Sequence, residues 1–497
     1  MLRGSTTLEA EATVEPLDLP NPPAALLGLL DDAAEPALLD SSAFHEGYGR
    51  FSVLACCPLD VLSLRDGALR DRAGNVLASG SDRAIWSVIA RALSPIRLTR
   101  RPHAAYLPGW IGYVGYEVGR HIEALPGAAF RDTSLPDLRL AFYDAILLQD
   151  ALTGETSLVE LRFARPPSGV GRGGRMLREV ASHAGDIPRE PPSEPTERAD
   201  AGKRPVVDDA EPNFTPAAYQ RAVGRCIEYI AAGDIFQVNL SQRFERRLDD
   251  DPLHVYRILR RRNPAWYASY LRFRSHDADC AVLSSSPELF LRVRGRHVVT
   301  RPIKGTRPRV GHRSIDEAAK ADLLASPKDN AELAMIVDLL RNDLGRVCRF
   351  GSIRVAEPRR LETHPTVFHL VATVEGMLRD EVGPAELLRA TFPGGSITGA
   401  PKIRAMEIID ELESVARGVY TGCIGIACVD GSCEWNIVIR TIVCDGGRAL
   451  LQVGGGIVAD SDPYDEYRET LDKARAMLEA MAEARCAAPR PEVLENT

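Results

Sequence analysis

Over residues 1–164 the chain alternates short apolar runs with turn signals. PALLDSS, RFSVLACC, the glycine-aromatic run GWIGYVGYEVGR and LRLAFYDAILLQD, followed by the hairpin-like TGETSLVELRF, predict strands with a few helices. Residues 165–212 break this pattern: PPSGVGRGG and PREPPSEPTERADAGKRP are rich in Pro, Gly, Ser and charge, which predicts a linker or long surface loop. A second patterned region spans 213–485. Thr215 is placed to cap a helix with Pro216 at its first position, and Tyr219, Val223, Cys226, Ile227 and Ile230 form its apolar face before Gly233 ends it. QVNLSQRF, CAVLSSSPELFLRV and HVVTRPIKG follow as strands. Two helices come next, the first opened by the capping-box pattern Ser314 to Glu317 and the second by Ser326-Pro327. YTGCIGIACVDG, CEWNIVIRTIVCDGG and RALLQVGGGIV are strands joined by Asp-Gly turns, and a last helix runs from about Pro463 to Ala484. Residues 486–497 are a polar tail. Strands and helices mix without strict βαβ alternation, so the expected class is α+β with antiparallel sheets.

Composition narrows the function more than the fold. Of 497 residues 26% are charged, and the net charge of −8 leaves no basic face for nucleic acid. No run approaches a membrane span, and the N-terminal MLRGSTTLEAEATVEPLDLP has no apolar core of a signal peptide, so the expected location is cytoplasmic, away from membranes. Ten cysteines are scattered without a C-x-x-C pair, and the five-residue steps of Cys423, Cys428 and Cys433 do not match zinc-ligand spacing. They read as buried free thiols.

Several residues have the chemistry of a site, each with a plainer structural alternative. Asp329 and Glu332 lie three apart on one predicted helix, and Glu466 and Glu469 do the same on another. Each pair alone reads as solvated surface. If the two helices face each other, four carboxylates meet, which calls for a hard divalent cation such as Mg2+. Arg440 lies inside the apolar IVIRTIV and requires either an internal acid or a ligand carboxylate. Gly454, Gly455 and Gly456 allow backbone to approach an anion, or mark a bulge. Ser396 and Thr398 precede a helix expected from Pro401, whose N-terminus attracts anions. Lys304 is a structural surface lysine, or a desolvated nucleophile. Glu288, after a proline, is a buried general acid or a strand-end carboxylate. His369, within an apolar stretch, reads as a core histidine.

Taken together, these segments resemble the chorismate-utilising enzymes: anthranilate synthase component I, aminodeoxychorismate synthase component I, and the isochorismate and salicylate synthases. GDIFQVNLSQRF, SSSPELF, RPIKGTRPR, AELAMIVDLLRNDLGRV, FHLVATVEG, GGSITGAPKIRAMEIIDELE, IVIRT and VGGGIVADSDPYDEYRETLDKA occur in family order over most of residues 214–480. ALLDSSAFHEGYGRFSVLACCP and GWIGYVGYE extend the likeness more loosely to the N-terminal half. The resemblance implies two large antiparallel sheets packed as a sandwich and flanked by helices. Three features lean within the family to the aminodeoxychorismate synthases: Lys304 in PIKGT where anthranilate synthases read PIAGT, Asn239 in QVNLSQ where they usually have Val, and SITGAPK rather than TLSGAPK. Gln237 stands where isochorismate and salicylate synthases carry a water-activating lysine.

What the resemblance implies for the site is specific. Glu332 and Glu469, supported by Asp329 and Glu466, hold Mg2+ and through it the ring carboxylate of chorismate. Arg440, with Tyr420, Gly454, Gly456, Ser396 and Lys473, holds the pyruvyl-ether end, and Gly305 and Thr306 line the ring. Glu288 acts as acid and Lys304 as nucleophile. CEWN departs from the Asp-Thr pair of many relatives, which puts a substrate contact near Glu434 and Trp435 in question. ALLDSS only partly matches the LLES-like motif of the tryptophan feedback site. No Gly-x-Cys-x-Gly elbow is present, so ammonia is expected from a separate glutamine amidotransferase subunit in a heterodimer, and no lyase domain is expected after the last helix. Anthranilate synthase component I and a catalytically inactive binding subunit of the same fold are the alternatives.

Overall fold

The computed structural model describes residues 8–19, 21–187 and 210–487. Among them the strands form two large sheets, one of 13 strands and one of 12, with helices around them. Pairing is antiparallel apart from Glu9–Leu17 beside Arg97–Arg100 in the strand ladders, so the class is α+β as the pattern of the sequence implied. The two sheets share one core. Ile111 and Tyr113 of the second sheet pack in the same buried cluster as Phe273 and Val282 of the first, and the rings of Tyr113 and Phe273 lie 6.1 Å apart.

The boundary at 165–212 does not divide the fold. Ala37–Asp40 pairs with Tyr267–Ser275 in the first sheet, and Gly109–Val114 pairs with Cys423–Cys428 in the second, so both sheets are built from both halves of the chain. The stretch expected as a linker contains the helix Arg172–Ser182, and Glu211–Pro212 pairs with Gln237–Arg247; residues 188–209, like most of the tail 486–497, lie outside the described residues. Leu177 and Val180 carry that helix into a second core cluster, a short apolar stripe that the surrounding Gly, Pro and charge conceal.

Local signals fare unequally. The Thr215 hydroxyl accepts the amide of Ala218 at 3.2 Å and caps Pro216–Ala231, and Ser326 likewise accepts the Asp329 amide at 3.2 Å at the head of Pro327–Gly345. Ser314 caps nothing. The helix Arg313–Ala325 begins one residue before it, and its hydroxyl meets the His312 ring instead. Two long predicted strands break in the middle. Ala278–Ser286 belongs to the first sheet and Leu289–Arg294 to the second, and Cys433–Asn436 belongs to the second and Thr441–Asp445 to the first.

Within these two runs the chain therefore crosses between sheets, at Pro287-Glu288 and at residues 437–440. The crossings run side by side: the Ile437 amide donates to the Glu288 carbonyl at 3.0 Å, the Ser285 amide to the Arg440 carbonyl at 3.1 Å, and the Ser286 hydroxyl to the Ile437 carbonyl at 2.5 Å. Each of these polar backbone groups is buried, so the cross-bonds replace the ladder bonds that leaving a sheet gives up. Phe273, 1% exposed, packs where the sheets meet. Phe273→Ala is expected to lower unfolding free energy by about 3–5 kcal/mol, read from the shift of the urea-denaturation midpoint at unchanged slope.

Candidate active site

At the first crossing Glu288 is 4% exposed. Its Oε1 accepts the Ser396 hydroxyl at 2.5 Å, and the Ser396 carbonyl in turn accepts the Lys304 ammonium at 3.1 Å. Ser396 reaches both because Gly395–Ile397 is a tight turn just before the helix Lys402–Leu412. Burial pushes the Glu288 carboxyl up to about 7, against the pull of Ser396 and Lys304, so near neutral pH it carries a proton part of the time. Burial also lowers Lys304, opposed by the charges of Glu332 and Glu288. The stem of Lys304 is partly exposed, but its amine has been taken from water into a ring of acids. Acid and amine thus face one space, the combination a proton donor and a nucleophile need.

Lys304 points inward because of a bulge. Ile303–Pro308 pairs with Val367–Met377, and the register shifts between Lys304 and Thr306, where Gly305 has a φ of +74°. A β-carbon at Gly305 would lie 2.9 Å from Asp329 Cγ and 2.8 Å from Leu323 Cδ1, so glycine is required there for both conformation and space. Thr306 Oγ1 bonds His369 Nδ1 at 2.9 Å. His369 is not the satisfied core histidine expected. Its Nε2 has no partner, it feels the charge of Arg440, and burial holds it well below the usual imidazole range, hence neutral.

At the second crossing Arg440 ends the break rather than continuing a strand, with a φ of +52°. Burial alone drags its guanidinium down to about 10, with no carboxylate opposing it. Of the two partners allowed for it, an internal acid is therefore ruled out among the described residues. A buried guanidinium without an anion is costly unless a ligand supplies one. Tyr420 is buried beside the same segment, because the Thr421 amide donates to the Val438 carbonyl at 2.7 Å.

The glycine run lies in Arg448–Ile457, paired in regular register with Gln237–Arg247. It is not a bulge. A β-carbon at Gly456 would come within 2.1 Å of Gln237 Nε2 and 3.4 Å of Lys304 Nζ, so these two side chains meet over bare backbone. One at Gly455 would lie 3.1 Å from Glu466 Oε2, 3.6 Å from Glu469 Oε1 and 3.8 Å from Lys473 Nζ. The Gly454 carbonyl accepts the Lys473 ammonium at 2.8 Å. Gln237, read in the sequence only against the lysine of isochorismate synthases, and Gly455, read only as backbone open to an anion or a bulge, are thus neighbours of the acids and of Lys304 that the sequence did not place there. The two-residue strand period that puts Gln237 and Asn239 on one face was the available signal.

The four candidate metal ligands are brought near one another but do not converge as expected. Burial raises Glu332, with Lys304 and Lys328 lowering it and Asp329 and Glu466 raising it; burial also raises Glu466, with Glu469 adding to the effect. Glu469 is lowered, mainly by Lys473, which it bonds at 2.6 Å. Asp329 pairs with Arg307 at 3.1 Å, and Glu466 accepts the Ser461 hydroxyl at 2.6 Å with Lys328 at 3.5 Å. Among the described residues no three His, Cys, Asp or Glu are gathered as a metal cluster. The donor chemistry nevertheless fits a hard dication: all four are carboxylates, and Glu332 and Glu466 are raised in part by other acids of the same group. Glu434 pairs with Arg292 and Trp435 is fully buried, so the CEWN departure is absorbed in side-chain packing of the second sheet. The nine cysteines with described side chains are buried and free.

Residues 60–479 match the chorismate binding enzyme family, and the chain belongs to it. Anthranilate synthase component 1 of Thermus thermophilus is 39% identical over 94% of this chain and 97% of its own length. Aminodeoxychorismate synthase component 1 of Salmonella typhimurium is 37% identical over 89% and 92%. The crystal structure of anthranilate synthase component I from Streptococcus pneumoniae TIGR4 has the same fold, with a TM-score of 0.72 at 31% identity over 88% of this chain and 94% of that one. The protein is a chorismate-utilising enzyme. No helix among the described residues is long and apolar enough to cross a membrane.

Glu288 holds its proton more tightly in the fold than its ordinary value of 4.5 allows in the unfolded chain. Its share of stability is therefore full below about pH 4.5 and is lost as the pH rises towards about 7. Denaturation of wild type and Glu288→Gln across that window is expected to diverge with rising pH, the wild type losing on the order of 3 kcal/mol relative to the variant.

Proposed function

We propose that this chain is the chorismate-aminating component of a 4-amino-4-deoxychorismate synthase. The observation that carries the reading is the Lys304 amine, directed by the Gly305 bulge into the space it shares with Glu288 and Glu332. Anthranilate synthases of the family typically have alanine at this position, with no amine to offer the ring.

Arg440 is the group to take the pyruvyl-ether carboxylate, since it is buried without an anion of its own. Tyr420, Ser396, Lys473 and the carbonyl-lined edge at Gly454 and Gly456 complete that end, and Gly305 and Thr306 line the ring. Glu332 and Glu469, with Asp329 and Glu466 behind them, would hold Mg2+, which when bound supplies positive charge for the ring carboxylate. Glu288 gives its proton to the 4-hydroxyl, which departs as water when the C4–O bond breaks. The Lys304 amine forms a bond to C2 in the same step, and the ring double bonds shift to accommodate it. Ammonia then bonds to C4, the C2–N bond to lysine breaks, and the double bonds return. The covalent bond occupies C2, so the amine is delivered to C4. Because the curated relatives are each named as component 1 of a synthase, we assign the ammonia to a separate glutamine amidotransferase.

The second reading, anthranilate synthase component I, is favoured by the names of the Thermus and Streptococcus relatives. Incubation of the purified chain with chorismate, ammonium and Mg2+ separates them. The expected product becomes p-aminobenzoate only after a lyase is added; fluorescent anthranilate without lyase would replace this reading with the second, and no product at all would make the chain an inactive subunit. EDTA is expected to abolish turnover and excess Mg2+ to restore it. Glu288→Gln should lower kcat by about 10²–10⁴-fold, with the wild-type rate falling above about pH 7 as the acid loses its proton. Lys304→Ala should stop aminodeoxychorismate formation, and retention of that product at the wild-type rate would remove the covalent step.

A further inference from the structure

The four acids assigned to the metal are already met by cations of the chain itself. Lys473 bonds Glu469 at 2.6 Å and the Gly454 carbonyl at 2.8 Å. Arg307 bonds Asp329 at 3.1 Å and is shared with Asp322. Lys304 donates to the Ser396 carbonyl at 3.1 Å, and its charge bears on Glu332 and Glu469. Lys328 meets Glu466 Oε1 at 3.5 Å, the longest of these contacts. Four carboxylates thus face four cations. A dication brought among them must displace one or be repelled by it.

Lys328 is the cation whose departure costs least. Lys473, Arg307 and Lys304 are each held by hydrogen bonds, whereas Lys328 is held to Glu466 by charge across 3.5 Å. Its side chain is 48% exposed, and rotation about its flexible four-carbon stem takes the ammonium fully into water. It is also misplaced for the helix that carries it. As the second residue of Pro327–Gly345 it sets a positive charge in the first turn, against the helix dipole. From that place, however, its charge bears on Glu332 one turn along the same helix, and on Glu466 and Glu469 of the helix Pro463–Ala487. One loosely held ammonium therefore serves three of the four acids, on both helices.

We propose that Lys328 is a tethered competitor of the dication: its ammonium and the metal are alternative counter-ions for Glu332, Glu466 and Glu469, and metal binding sends the ammonium into solvent. Lys328 then sets how tightly the metal is held. It offsets the mutual repulsion of the acids while no dication does so, and it weakens metal binding by the share of molecules in which it stands among them. This rests on the reading of the four acids as the metal ligands.

Binding of Mn2+, standing in for Mg2+, to the full chain without chorismate tests the proposal, read from the EPR signal of the free ion. Lys328→Met, which keeps an unbranched stem and removes the charge, is expected to lower the Kd for Mn2+ about tenfold, because no fraction of sites is then held by the ammonium. Lys328→Arg keeps the charge and should bind Mn2+ no more tightly than wild type. Lys320→Met removes a lysine paired with Glu317 on the preceding helix Arg313–Ala325, reports the effect of net charge alone, and should leave the Kd within about twofold. One fixed concentration of Mg2+ should raise the Tm of Lys328→Met further than that of wild type, as tighter binding to the folded state requires. An unchanged or larger Kd in Lys328→Met, or an equal fall in Lys320→Met, would overturn the proposal. If wild type binds Mn2+ and the Lys328 variants match it, the metal reading stands and the competitor role alone is removed; if neither wild type nor variant binds Mn2+, both are removed.

Discussion

Hydrogen bonding between the two sheet crossings is the constraint from which the site follows. A strand that leaves one sheet for another abandons its ladder partners in the interior, where unpaired amides and carbonyls are expensive. Here the two crossings satisfy each other, through Ile437 to Glu288 and Ser285 to Arg440. The consequence is chemical as well as structural. The residue at each crossing is fixed by backbone hydrogen bonds, so a carboxyl and a guanidinium are both held at the seam between sheets, away from water. Neither could be placed there by a loop without losing precision.

Burial then sets the chemistry. Desolvation pushes Glu288 up, Lys304 down and Arg440 down, each towards its neutral form. The groups do not cancel one another by pairing, because the direct contacts run through Ser396: its hydroxyl goes to the acid and its carbonyl to the amine. An acid and an amine joined by a direct salt bridge would be locked as an ion pair, one lacking its proton and the other its lone pair. A shared serine keeps them adjacent and separately reactive. The bulge at Gly305 is what brings the amine there, and the register shift explains why a strand of otherwise alternating exposure turns a lysine inward.

How much of this was legible in the chain depended on the range of the interaction involved. Thr215 and Ser326 act through a hydroxyl three residues from the amide it accepts, and those caps were readable. The breaks at Pro287-Glu288 and 437–440 were not, since an apolar run looks the same whether its residues stay in one sheet or pass to another; only the distant partner strand decides. The helix Arg172–Ser182 was hidden for a related reason: it is held by a stripe of few apolar residues packed on strands far away in sequence. The acids at 329, 332, 466 and 469 were found by their spacing and family likeness, but their neighbours Lys328 and Arg307 belong to the same charged patches and gave no separate signal. Gly455 was legible only as a point of close approach, because a glycine reports nothing about what stands above it.

Overall similarity and local chemistry answer different questions in this family. Identities of 37% and 39% to relatives with different products reflect a shared scaffold, because most of the residues that make the two sheets and their core respond to packing and not to which ring carbon is attacked. The choice between C2 and C4 is made by groups within bonding distance of the ring. An amine at 304 can form a carbon–nitrogen bond there and an alanine cannot, whatever surrounds it. Surroundings matter in a second way: an unpaired lysine in a dry cavity would destabilise the fold, so the position tolerates an amine only where acids such as Glu332 and Glu288 offset its charge.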